Sequence, residues 1–141
     1  MRARETAEIV GKILKKPVQM ERNLRERNYG EFTGLSYKEP KDVLEGAIAR
    51  MRTNLTYIPS DGESLLQHQT RVVDTVKSIA EKHEDEDVLI ISHRGTIRVF
   101  LMWLYGKEYA LDVEIPDPPG YVEVLWEENK NRSDILHTMI T

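Results

Sequence analysis

The chain has 141 residues, 40% of them hydrophobic, which is one-domain size with enough apolar material for a single core and excludes disorder as the main reading. Twenty Lys and Arg against 24 Asp and Glu leave a net charge of -4, so no overall positive field is available to hold nucleic acid or an anionic membrane surface, and any anion site must be local. The absence of cysteine excludes disulfides, thiolate zinc sites and a cysteine nucleophile. The apolar runs at 88–91 and 99–104 are far shorter than the ~20 residues of a membrane span, so a cytoplasmic setting is expected.

In chain order, Ala3, Thr6, Ala7, Val10, Ile13 and Leu14 recur at helical spacing, and Lys15, Lys16 and Pro17 end that helix. Neither a cap nor a strand precedes it, which raises the expectation that the domain is incomplete at its front. A short extended piece (18–20) leads into a polar segment without a period (23–39), read as a loop. Val43, Leu44, Ala47, Ile48 and Met51 predict a helix over 41–52, and the break YIPSDGES follows at 57–64. Ser64 and Gln67 form a capping-box pattern ahead of a helix that runs to about His83, with Leu65, Val72, Val73, Val76, Ile79 and Ala80 on its apolar face and His68 on its polar side. The acidic run 84–87 reads as a solvated turn. VLIIS at 88–92 has the continuous apolar pattern of a strand covered on both faces in a parallel sheet. A helix from about Thr96 to Gly106, a proline-rich loop, a strand at 121–126 and a last edge strand within 134–141 complete the order. Helices alternating with a buried strand predict an α/β fold, a mostly parallel sheet flanked by helices.

His93 follows the 88–92 run and precedes Gly95 and a helix. Ligands of open α/β sheets gather at strand carboxyl ends, and a helix start offers unpaired N–H groups to an anion, with Arg94 and Arg98 adding charge. The same spacing is equally compatible with a histidine that merely ends a strand. His68, His83 and His137 are scattered without metal-ligand spacing, so no metal is expected.

RARETA (2–7), RERNYGEFTGL (25–35), DGES (61–64) and SHRGTIR (92–98) stand in the order and approximate spacing of the histidine phosphatase superfamily, and the chain resembles its phosphoglycerate-mutase-like branch over most of its length. The resemblance implies one such domain over residues 1–141. It implies that Arg2 contacts the transferred phosphoryl group, that Glu26 is proton donor and then base, and that His93 is the second pocket histidine stabilising phosphoryl oxygens. Arg27 and Tyr29 match positions that can touch substrate. Glu63 and Ser64 look like the family's GES element, although capping is a sufficient role for Ser64. The family needs no metal or other cofactor, and the implied partner is a small phosphorylated substrate.

One departure bears on mechanism. The resemblance implies a covalent phosphohistidine formed on an Arg-His-Gly histidine of a first strand, and no such motif occurs here. The expected fold therefore lacks that strand, and the chain alone is expected to be inactive. It reads as part of a longer phosphatase. The alternatives are a short protein that binds phosphorylated ligands or a protein partner without turnover, and a second polypeptide supplying the strand. Phosphatase is preferred over mutase because only scattered Lys38, Lys41, Arg50 and Arg52 stand where a mutase holds a phosphoglycerate carboxylate.

Overall fold

The computed structural model describes residues 2–34, 41–108, 113–117, 120–127 and 136–140. Among these residues there are four helices: α1 (Arg2–Leu14), α2 (Lys41–Thr53), α3 (Leu65–Lys82) and α4 (Arg94–Leu104). Two 3-10 turns, Arg22–Leu24 and Gly30–Phe32, lie in the segment expected as loop, whose positions 35–39 fall outside the described residues. Strands β1 (Tyr121–Leu125) and β2 (Leu136–Ile140) pair antiparallel, Tyr121 opposite Ile140 and Leu125 opposite Leu136.

The helix limits follow from local chemistry. At the end of α1, Lys15 turns into the left-handed region (φ 53°) and the Lys16 N–H reaches back to the Gly11 carbonyl at 3.0 Å, ahead of Pro17. The start of α3 carries the full capping box: Ser64 Oγ accepts from the Gln67 N–H at 3.0 Å and Gln67 Oε1 accepts from the Ser64 N–H at 2.8 Å. For α2, Met51 is buried, while the side chains of Val43, Leu44 and Ala47 lie outside the described residues, as do those of Lys38, Lys41 and Arg52.

Helices α3 and α4 form the core. Leu65 and Val72 of α3 meet Val99, Leu101, Met102 and Leu104 of α4, with Val113 closing the cluster. Trp103 of α4 stacks on Trp126 beyond β1 (centroids 6.3 Å apart), which joins the strand pair to the helices. Because α4 is fixed on one side by this packing, its N-terminus is a rigid place to present groups.

Three expectations are corrected. The run 88–92 carries no strand pairing among the described residues. A parallel strand exists only through its neighbours, and no other described segment pairs with it. Val88 and Leu89 are consequently 46% and 60% exposed. His68 is buried rather than solvated, at 1% exposure. It stands three residues after Leu65 and four before Val72, on the same stripe. Finally, α4 begins at Arg94 instead of near Thr96, so Gly95 lies inside its first turn.

Candidate active site

The segment 23–26 crosses the N-terminus of α4 and is stitched to it residue by residue. Ser92 Oγ donates to the Leu24 carbonyl at 2.6 Å, Thr96 Oγ1 donates to the Arg25 carbonyl at 3.1 Å, and the Gly95 N–H donates to Glu26 Oε2 at 3.1 Å. The Glu26 carboxylate thus occupies the positive end of the α4 dipole, its second oxygen accepting from the Arg27 N–H at 2.9 Å. Gly95 makes this possible. A Cβ there would collide with the Glu26 carboxylate. His93 is the N-cap of α4, with extended backbone (φ -106°, ψ 155°), half-buried, its imidazole making no capping hydrogen bond. A carboxylate and an imidazole therefore share one helix start.

A second loop holds this one from below. Residues 26–31 and 59–63 lie against each other: Asn28 Nδ2 donates to the Asp61 carbonyl at 2.7 Å, the Glu63 N–H to the Asn28 carbonyl at 3.0 Å, and the Glu31 N–H to the Ser60 carbonyl at 2.9 Å. Gly30 turns the chain at φ 54°, where a side chain would run into the Ser60 carbonyl.

Arg27 is 5% exposed. Its Nε donates to the Glu63 carbonyl at 3.0 Å and Nη1 to the Met51 carbonyl at 2.7 Å, tying α2 to the loop pair, while Nη2 is buried without a hydrogen-bond partner. Burial lowers its pKa from the ordinary arginine range, opposed by Tyr29, Glu63 and Glu26. Its cation lies 5.7 Å from the centre of the half-buried Tyr29 ring. Arg2, the first residue of α1, is exposed, and no hydrogen bond or ion pair among the described residues joins it to Glu26 or His93. Of the five expected site residues, the structure brings Glu26 and His93 to the same helix start and sets Arg27 and Tyr29 against each other in the adjacent loop.

Sequence reasoning passed over Arg71 and gave Glu63 no function. Arg71 forks onto the Glu63 carboxylate, Nε to Oε2 at 2.9 Å and Nη2 to Oε1 at 2.5 Å. Burial pushes the Glu63 carboxyl up, but the Arg71 hydrogen bonds and charge and the Asn28 N–H outweigh it and leave the group below its ordinary value. Next to it, His68 Nε2 lies 3.3 Å from Thr96 Oγ1. Burial and the neighbouring Arg71 charge, opposed by Glu63, lower the pKa of His68 to about 4 and keep it neutral. The available signal was spacing: Glu63 precedes the N-cap of α3, and Arg71 follows seven residues after that cap, two turns along the same face. Among the described residues no group of His, Asp and Glu is arranged to hold a metal ion, and no helix is long and apolar enough to cross a membrane.

Solved structures show the expected α/β fold. The mycobacterial glucosyl-3-phosphoglycerate phosphatase complexed with VO3 has the same fold, with a TM-score of 0.75 over 98% of this chain and 70% of its own, at 21% identity. Bacillus stearothermophilus YhfR is 30% identical, with a TM-score of 0.66 over 75% of this chain and 53% of its own. Among curated sequences, phosphoglycerate mutase-like protein 4 of Arabidopsis thaliana is 37% identical over 100 residues, 69% of this chain and 44% of that protein. The metal-independent phosphoserine phosphatase of the same plant is 33% identical over 104 residues, 72% and 44% respectively. The chain spans about half the length of the curated relatives it matches. The profile of the histidine phosphatase superfamily (branch 1) matches residues 1–137, and the chain belongs to that superfamily.

Proposed function

We propose that the start of α4 is the acid–base and phosphoryl-binding half of a metal-independent phosphatase acting on small phosphomonoesters through a phosphohistidine. The observation that carries this reading is the Gly95 N–H to Glu26 bond at 3.1 Å beside the His93 N-cap, which sets a carboxyl group and an imidazole at an anion-accepting helix end. A histidine nitrogen forms a bond to phosphorus as the ester P–O bond breaks, and Glu26 delivers a proton to the leaving oxygen. Water then attacks, Glu26 takes its proton, and the N–P bond breaks to release phosphate. His93 and the α4 N–H groups stabilise charge on the phosphoryl oxygens, and Arg2 supplies a further cation. Arg27 and Tyr29 shape the adjacent wall. The kinship with phosphatases whose names specify phosphoserine and glucosyl-3-phosphoglycerate supports a small phosphorylated substrate.

None of the four histidines, His68, His83, His93 and His137, stands in an Arg-His-Gly sequence, and this favours a second reading, phosphate binding without turnover. One series separates the two. Calorimetry with vanadate on the 141-residue chain gives saturable binding in both, weakened about 10- to 100-fold by Arg2→Ala or His93→Ala. Phosphate release from 4-nitrophenyl phosphate in the presence of a chelator, by the chain extended at its front with an Arg-His-Gly strand and lost about 10²- to 10³-fold in Glu26→Gln, belongs to the first alone. Failure to bind vanadate overturns both.

A further inference from the structure

We propose that Arg71 is a positioning residue for Glu26, a role that rests on the reading of Glu26 as the proton-transfer group. Every backbone carbonyl from Asn23 to Glu26 is held by a side chain. Arg71 Nη1 donates to the Asn23 carbonyl at 2.6 Å and to the Arg25 carbonyl at 3.0 Å, and Nη2 donates to the Glu26 carbonyl at 3.2 Å. The fourth, Leu24, accepts from Ser92 on the opposite side. The segment is therefore gripped between α3 and the start of α4, and Glu26 itself is fixed at both ends, its carbonyl by Arg71 and its carboxylate by Gly95.

The orientation of Arg71 is set independently of the segment it holds. Its Nε and Nη2 fork onto Glu63, whose side chain also accepts from the Asn28 N–H at 2.8 Å, two residues beyond Glu26. A planar guanidinium can serve a carboxylate and three carbonyls in one geometry. An ammonium at the end of a lysine chain cannot, because its three donors radiate from a single atom. The salt bridge is largely shielded, with Arg71 and Glu63 side chains 15% and 12% exposed, so the fork persists in solution better than a surface pair. Arg71 touches neither the Glu26 carboxylate nor His93 in any described hydrogen bond; it acts through the backbone.

The Gly95 amide reports the effect without any need for turnover, because its proton points at Glu26 Oε2. In nuclear magnetic resonance of the full chain, Glu26→Gln sets the Gly95 amide position in the absence of the carboxylate. Arg71→Lys is expected to move that resonance most of the way to the Glu26→Gln position while retaining vanadate binding. A folded Arg71→Lys protein whose Gly95 amide stays at the wild-type position overturns the proposal. Should Arg71→Lys fail to fold, the wild-type guanidinium decides: separately resolved, exchange-protected Arg71 N–H signals support the grip, and a single averaged signal overturns it. Vanadate binding by the wild type with an unmoved Gly95 amide removes the role of Arg71 alone. Absent vanadate binding removes the phosphoryl reading, and with it the catalytic purpose of the grip.

Discussion

Gly95 and Glu26 are complementary at atomic scale: the carboxylate of one occupies the space a methyl group on the other would fill, and the N–H of that glycine meets the carboxylate at 3.1 Å. Local sequence preference alone would not choose glycine here, since it costs a helix stability relative to alanine. Its presence inside the first turn of α4 is explained by a partner 69 residues away.

Gly95→Ala is expected to separate stability from chemistry. The helix gains up to about 1 kcal/mol of propensity and loses a similar charge–dipole contribution, so the melting temperature moves by only a few degrees. Phosphate release in an active form falls by about 10²-fold or more because the displaced carboxylate no longer meets the leaving oxygen. Thermal unfolding and a phosphate assay on the same preparation check both halves.

Acid sensitivity should trace to His68. Its folded pKa of about 4 lies below the ordinary 6.5, so the unfolded chain binds the extra proton. The contribution of the neutral imidazole is present above pH 6.5 and is lost as pH falls toward 4, by an amount on the order of 3 kcal/mol. Glu63 acts in the same direction lower down, its stabilisation being lost as pH falls through its depressed pKa. Urea unfolding at pH 7 and pH 5 should show the loss, and His68→Gln should flatten the dependence between those values. An unchanged slope in the variant would contradict the assignment.

Gly30→Ala combines a left-handed backbone with a collision against the Ser60 carbonyl. The expected cost is about 1–3 kcal/mol. Because the 26–31 and 59–63 loops share this contact, vanadate affinity should fall together with the denaturation midpoint.

Ser64→Ala removes one bond of the α3 capping box and exposes the other to water. About 1 kcal/mol of stability is expected to go, with vanadate affinity preserved, since Ser64 acts on the helix alone. Equilibrium denaturation and calorimetry read the two effects separately.

Local chemistry accounts for what the sequence made legible. Helix α1 and its stop at Lys15 and the Ser64–Gln67 box rest on neighbours within a few residues, where periodicity and capping rules operate. Glu26 and His93 are singled out by motif order. Arg71 was missed because a lone arginine on an amphipathic helix reads as a solvated charge, and its carbonyl acceptors lie 45 to 48 residues away. His68 was misassigned for a related reason: its polarity outweighed a position on the apolar stripe, and only the Thr96 hydroxyl shows how a neutral imidazole is accommodated there. The 88–92 run was read correctly for composition but not for pairing, which is a property of two segments.

That unpaired run has a colloidal consequence. Val88, Leu89 and Ile90 stand 46%, 60% and 36% exposed, with no Pro or charge among them to discourage stacking. Such a segment is a template for β-pairing between molecules, so the isolated chain should self-associate with rising concentration, and charge at Leu89 should suppress precipitation more effectively than the same charge placed on α1.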